Sequence, residues 1–247
     1  MTLKPDAHSD RTVLLYSGGI DSYCTAALTN PDVLLHVNLG GAYGEEETQA
    51  LTTPKGMQHK LTSINMPDLA QFELPDHGYI LPARNAFLAL LGAQYGSTIY
   101  MASIAASRGS DKDQEFATRM TNLMTWVWQK QTIWNPTARP TTLELPVQHL
   151  TKRQLVATTI AETSTTGEEI RDHTFSCYTP TNGKECGTCG PCGRKWAALA
   201  ANNITPTINA RHAYAPYWDE IHQHNGTPPE RTPQHVQDVK DAWNSPY

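Results

Sequence analysis

Apolar positions along this chain fall into two periods. Val13-Leu14-Leu15-Tyr16 is a short unbroken apolar run, the pattern of a strand covered on both faces. Leu34 to Leu39 repeats it, and Gly40-Gly41 ends it. Lys60 to Ile64, Thr98 to Ala102 and Leu143 to Leu145 predict three more strands. Helical patterns lie between them. Tyr23 to Leu28 is helical and stops at Asn30-Pro31. A polar helix is expected from Gly44 to about Ala50, its first turn stabilised by Glu45, Glu46 and Glu47. Pro67 to Gly78 reads as a loop with an Asp76-His77-Gly78 turn. Leu81-Pro82-Ala83-Arg84-Asn85 opens a helix that Ala86, Phe87, Ala89, Leu90, Leu91 and Ala93 make apolar nearly all round, which predicts full burial. Asp113 to Lys130 places Phe116, Met120, Leu123, Met124 and Val127 on one helical face. Thr151 stands where it would cap a helix over Lys152–Glu162. Strands alternating with helices predict an α/β fold with a doubly wound parallel sheet.

One connection in that pattern carries chemistry. Between the first strand and the first helix stands Ser17-Gly18-Gly19-Ile20-Asp21-Ser22. The glycines let the backbone turn and approach an anion, and the new helix offers free N–H groups and its positive dipole end. Ser17 and Ser22 add hydroxyl donors. Asp21 repels phosphate unless Mg²⁺ stands between them, so the loop suggests a metal–pyrophosphate site. It has neither the Lys-Ser/Thr of the Walker loop nor the G-x-G-x-x-G fingerprint. The plainer alternative is a βα turn built of small residues. In an open α/β sheet, ligands bind beyond the C-terminal strand ends, where this loop falls.

The second local signal is Cys177, Cys186, Cys189 and Cys192, separated by eight, two and two residues. Gly187, Gly190 and Pro191 supply tight turns, so four thiolates can close on one tetrahedral ion at about 2.3 Å. Such a site leaves no open position and suits a structural zinc; redox cysteines and an iron–sulfur cluster compete with it. Lys184, Arg194 and Lys195 are near enough in sequence to offset its charge. Cys24 stands apart and reads as a small buried hydrophobe.

Composition narrows the setting. The 247 residues fit one large domain or one domain with a small module. A net charge of −5 argues against a broad nucleic-acid-binding face. No apolar run approaches a membrane span, and Met1–Asp10 lacks the apolar stretch of a secretory leader, so a cytoplasmic protein is expected. The divisions expected are a flexible end over 1–10, a nucleotide-binding domain over 11–165, a zinc-binding subdomain over 166–204 and an extension over 205–247. Prolines 206, 216, 228, 229, 233 and 246 mark the extension as irregular, with a helix expected from Pro233 to Trp243. Its Tyr and Trp side chains are expected to pack.

The loop resembles the Ser-Gly-Gly-x-Asp-Ser signature of the PP-loop ATP pyrophosphatases, which cleave ATP between the α- and β-phosphates and pass AMP to an oxygen. Ser176-Cys177-Tyr178, the cysteine spacing and Gly193-Arg194 are similar to the C-terminal zinc site of the 7-cyano-7-deazaguanine synthase (QueC) family. Leu81-Pro82-Ala83-Arg84-Asn85 looks like that family's Val-Pro-x-Arg-Asn, Ala42-Tyr43-Gly44 falls at its Tyr-Gly-Gln, and Leu150-Thr151-Lys152 resembles its Leu-Ser/Thr-Lys helix start. The likeness spans about residues 11–202. It departs over Ser103 to Asp113, where the family has Ser-Gly-Tyr-Pro-Asp-Cys-Arg and only Asp111 corresponds, and at Glu45 in place of Gln.

The resemblance implies ATP-dependent conversion of 7-carboxy-7-deazaguanine and ammonia to 7-cyano-7-deazaguanine through two adenylations, for 7-deazaguanine modification of nucleic acid. Alternatives are an adenylating enzyme that stops at the amide, one with another carboxylate or amide acceptor, and a non-catalytic binding protein derived from the same fold. The ATP site is expected at Tyr16, Ser17, Gly18, Gly19, Ile20, Asp21, Ser22 and Tyr23, with Asp21 and Ser22 catalytic. Arg84, Asn85, Asp111 and Lys152 are candidates for substrate or phosphate. A helix-start ion pair is the alternative for Arg84, a solvated helix residue for Lys152, and a charged loop for Asp111 and Asp113. One structural zinc per chain, Mg²⁺ and ATP as co-substrate complete the expected set. Small-molecule partners, no direct nucleic-acid or membrane binding, and a homodimer are expected.

Overall fold

The computed structural model describes residues 4–5, 9–41, 44–74, 81–105, 111–129, 139–215 and 233–247. Five parallel strands form its centre: β1 (Thr12–Leu15), β2 (Val33–Asn38), β3 (Leu61–Asn65), β4 (Thr98–Met101) and β5 (Thr142–Glu144). Their order in the sheet is β3-β2-β1-β4-β5. The chain therefore winds outward from β1 in one direction and then in the other. The reversal lies between β1 and β4, which opens a crevice at their C-terminal ends.

The unbroken apolar runs have a simple cause. Successive side chains of a strand point to opposite faces, and here both faces are covered. Val13, Val33, Leu35 and Ile99 pack under α3 (Arg84–Gly92) and α4 (Gln114–Gln129). Leu14 and Leu34 point the other way, onto Ala26 of α1 (Ile20–Thr29). Val13, Leu14, Val33, Leu34 and Ile99 are each 0% exposed, and burying each stabilises the fold by about 1.5–3 kcal/mol. Asn30 ends α1 in the left-handed conformation, its N–H donating to Ala26 O. Cys24 is fully buried in the cluster under α1, as its isolation suggested.

Two helices differ from expectation. In α3 only Asn85, Ala89 and Gly92 are buried, while Ala86, Phe87, Leu90 and Leu91 are half-covered. The helix lies on one face of the sheet, which covers one side of it. In α4 the buried stripe is Ala117, Met120 and Met124, and Leu123 and Val127 are 44% and 43% exposed. Thr121 and Thr125 explain the rotation: their hydroxyls bond backbone groups of β5 and its approach, at Leu143 and Thr141. That turns the helix away from its most apolar face.

The polar α2 spans Gly44–Gln49, and Pro67–Phe72 forms short 3-10 turns within the expected loop. The Asp76-His77-Gly78 turn and Lys130 lie outside the described residues. The capped helix α5 spans Lys152–Glu162 as expected, with a full capping box between Thr151 and Gln154. α6 (Gly167–Asp172) and α7 (Gly190–Ala200) follow, and α8 (Pro233–Trp243) occupies the expected place in the extension. Val236, Val239 and Ala242 of α8 pack on Trp196, Ala197 and Ala200 of α7. No described helix is long and apolar enough to cross a membrane.

Candidate active site

β1 delivers the chain to the crevice, and Gly18 makes the turn there with φ +74°, where a Cβ would meet Leu51 Cδ1 at 2.9 Å. α1 then starts on Gly19, which offers no side-chain cap. The first-turn N–H groups of a helix lack intrahelical partners, and with no side-chain cap here they are the kind of donors that can receive an anion. Ser17 Oγ and Ser22 Oγ stand 3.2 Å apart, and Ser22 donates to Gly19 O at 3.0 Å. The loop is thus held closed by its own hydroxyls.

Asp21 points from the first turn of α1 and forms an ion pair with Lys152, the first residue of α5. The capping box fixes where α5 begins, and so fixes Lys152 against the loop. Behind it, Thr151 donates its hydroxyl to Asp238 of α8, and Arg153 pairs with Asp241 and, at 3.5 Å, with Asp238. The extension therefore braces the helix start that carries Lys152.

Loop and lysine open onto a cavity of about 340 Å³ at the β1–β4 reversal. That size suits a small-molecule ligand. Ser17, Gly19, Ile20, Asp21 and Ser22 line it, as do Arg84 and Asn85 at the start of α3. Lys152 lines it too, with Lys112 and Arg194 beside it. These four cations share the lining with the carboxylates of Asp21, Glu47 and Glu73, which leaves a positive excess that suits an anionic ligand. Lys112 registers this: burial lowers its pKa first and the Arg84 and Arg194 charges lower it further, against the pull of Asp111 and Asp21. Lys112 and the cavity position of Arg194 escaped sequence reasoning. The Gly193-Arg194 pair after the last cysteine was the available signal for Arg194.

The other expected residues are dispersed. Tyr16 has a half-lining role: its phenol, held neutral by burial, donates to Thr52 O at 2.7 Å, while its carbonyl accepts from buried His36 at 3.2 Å. Tyr23 is buried in the core below α1, 3.5 Å from His173 Nδ1, and does not line the cavity. Gly18 shapes the loop without lining the cavity. Asp111 stands behind Asn85, accepting from its Nδ2 at 2.8 Å, and orients that side chain. Ala42-Tyr43 and residues 106–110 of the stretch that departs from the family pattern lie outside the described residues.

The four cysteines converge. Their sulfurs all lie within 4.8 Å of one another, with Cys189–Cys192, Cys177–Cys189 and Cys186–Cys192 separations of 3.4, 3.9 and 4.0 Å. A tetrahedral ion with sulfur at about 2.3 Å requires sulfurs about 3.8 Å apart, so the set could hold zinc. Burial raises the Cys186 thiol, but the hydroxyls of Thr179 and Thr188 and the Thr188 N–H donate to its sulfur, and together such donors bring it to about 5. That favours the thiolate at Cys186, while burial raises the Cys177 and Cys192 thiols. Lys195 turns away from the sulfurs: it is buried and pairs with Glu185 at 3.0 Å, whose other oxygen accepts from Ser176 N–H at 2.6 Å. Cys177, Ser176 and Tyr178 also line the cavity, and Phe175 N–H donates to Gly18 O at 3.1 Å. The cysteine cluster is a wall of the active cavity.

The family model of the queuosine biosynthesis protein QueC matches residues 11–203. The chain belongs to the QueC family. Among curated relatives of this QueC-family chain is the 7-cyano-7-deazaguanine synthase of Acinetobacter baylyi, 26% identical over 225 residues, covering 80% of this chain and 94% of the relative. Another is the 7-cyano-7-deazaguanine synthase of Marinobacter nauticus, 25% identical over 231 residues, covering 81% of this chain and 97% of the relative. The QueC match ends before α8, so the contacts of Asp238 and Asp241 lie beyond it.

Proposed function

We propose that this chain is an ATP-dependent, AMP- and pyrophosphate-forming ligase that converts 7-carboxy-7-deazaguanine and ammonia to 7-cyano-7-deazaguanine. The observation that carries this reading is the convergence of the Ser17–Ser22 loop, the Asp21–Lys152 pair and the cations Arg84, Lys112 and Arg194 on one cavity in a QueC-family chain.

The loop N–H groups and Lys152 receive the triphosphate. The substrate carboxylate attacks the α-phosphorus, and pyrophosphate leaves into the cationic lining, which stabilises its charge. Ammonia then adds to the activated carbon and AMP departs, giving the amide. The amide oxygen is adenylated in turn, and loss of AMP leaves the nitrile. The repetition has a physical reason: a carboxylate or amide oxygen is a poor leaving group and AMP a good one. Mg²⁺ held by Asp21 would supply charge stabilisation on the phosphates. Zinc held by Cys177, Cys186, Cys189 and Cys192 would be structural, fixing the wall that carries Ser176 and Arg194.

Reaction with Mg²⁺-ATP, ammonia and 7-carboxy-7-deazaguanine, followed by mass spectrometry, tests the reading. Acid consumed with two AMP per nitrile supports it. Amide as the only product identifies an enzyme that stops half-way. A second reading, a different acceptor, draws on Asp111: the residue corresponding to the family's substrate-binding Asp is engaged by Asn85 and does not line the cavity. AMP formed from ATP with no loss of the acid favours that reading.

A further inference from the structure

Turning ammonia into a nitrile nitrogen breaks three N–H bonds. One breaks as the amide forms, one as the amide oxygen takes up AMP, and one as the nitrile forms. Each proton needs an acceptor beside the reacting carbon. Three described carboxylates line the cavity: Asp21, Glu47 and Glu73. Asp21 is taken by Lys152. Glu73 is packed against the backbone of Gly41, where its Oε1 would lie 2.2 Å from an added Cβ.

Glu47 is different. It sits on the inner side of α2, half-buried, while Glu45 of the same turn is exposed. Its carboxylate has no hydrogen-bond partner or close ion pair among the described residues, although it lines the cavity. The charge that acts on it is Arg84, at the start of α3 on the same lining. Lys112, Lys152 and Arg194 also face the cavity, as does His36 from β2, whose Nε2 lies 3.2 Å from Thr48 Oγ1.

We propose that Glu47 is the general base that takes protons from the ammonia-derived nitrogen. The inference rests on the nitrile-forming reading above. As the nitrogen lone pair forms the C–N bond, the C–O bond to AMP breaks, AMP leaves with that electron pair, and the N–H proton passes to the Glu47 carboxylate. The same transfer accompanies the last step, in which the adenylated imidate loses AMP and its N–H proton to become the nitrile. Burial raises the Glu47 carboxyl to about 7, against the opposing pull of Arg84. It can therefore accept and release a proton near neutrality, the condition under which a base works best.

Glu47→Gln keeps the size of the side chain and removes the acceptor. Two rates separate the steps: acid-dependent exchange of pyrophosphate into ATP, and ammonia-dependent amide formation. Exchange should stay within about threefold of wild type, and amide formation should fall by about 10²–10⁴-fold. With free ammonia held constant across the pH series, the wild-type rate should decline below about pH 7 as Glu47 becomes protonated, and that limb should vanish in the variant. Formate added to Glu47→Ala should restore part of the rate, which a structural role would not allow. Loss of both rates together in a folded variant, or retention of both, overturns the role of Glu47 alone. Wild-type protein that gives no acid-dependent exchange overturns the substrate reading, and this role with it.

Discussion

The sheet body and the C-terminal region hold themselves together by different means. Residues 12–162 rest on apolar contact spread over both faces of five strands, in clusters of buried side chains of which one also takes in Ile170, Ala198, Leu199 and Ile204. The described residues of 166–247 contribute no strand to the sheet. There an apolar cluster of Trp196, Ala200, Val236 and Val239 is joined by four sulfurs, the buried Lys195–Glu185 pair, and Arg211. That guanidinium lies 5.5 and 5.6 Å from the rings of Trp196 and Trp243 and donates to Ser245 O at 3.1 Å. Distributed contact lets one change be absorbed. Point contacts make single residues decisive, and the cavity borrows one wall from each region.

The largest effect should come from breaking the sulfur set. Cys189→Ser is expected to lose its zinc and to lower Tm by roughly 10 °C or more, because metal binding is folding energy for such a site and each kcal/mol moves Tm about 2–4 °C in a chain this long. Metal analysis and calorimetry check it together; a metal-free protein with unchanged Tm would sink the structural role.

Next comes a residue of the sheet body that lines the cavity and pairs with Lys152. Asp21→Asn should reduce AMP and pyrophosphate formation by at least about 10²-fold, the scale of losing one preorganised electrostatic group, while Tm changes little. Product analysis that shows ADP and phosphate at the normal rate would contradict it.

A smaller loss is expected at the seam between the regions. Asp238→Ala leaves the Thr151 hydroxyl and Arg153 short of a partner at a buried site, a cost of about 1–3 kcal/mol. Denaturant unfolding should show it, accompanied by a weaker apparent affinity for ATP because Lys152 follows Thr151. An unchanged midpoint would mean that α8 braces nothing.

The smallest effect belongs to the exposed face of α4. Leu123→Gln should change stability by less than about 0.5 kcal/mol, since the side chain is 44% exposed. A larger loss in thermal unfolding would show that this face is covered in solution.

Legibility followed the range of the interactions involved. The strands, the Gly18 turn, the Thr151 capping box and the cysteine spacing are each written within a few neighbouring residues, so the chain alone discloses them. The burial of α3 and α4 was misjudged because periodicity measures how apolar a face is, not whether anything covers it. Phe87 and Leu123 are apolar, and the sheet lies on another side of each helix. Asp111 was legible as a charge and not as the residue that orients Asn85.

By itself the sequence determined the α/β class, the glycine turn after β1, the spacing of four cysteines that could hold zinc and the resemblance that the QueC match bears out. All of these rest on local backbone geometry or on short spacings. The tertiary structure alone decided that Lys112 and Arg194 share a cavity with Arg84 and Lys152. It also decided that Glu47 faces that cavity without a hydrogen-bond partner among the described residues and that α8 reaches back to Thr151. The reason is physical: strand order, set by pairings as distant as Thr12 with Thr98, decides which loops meet at the β1–β4 reversal, and there it brings together side chains as far apart in the chain as Asp21 and Lys152.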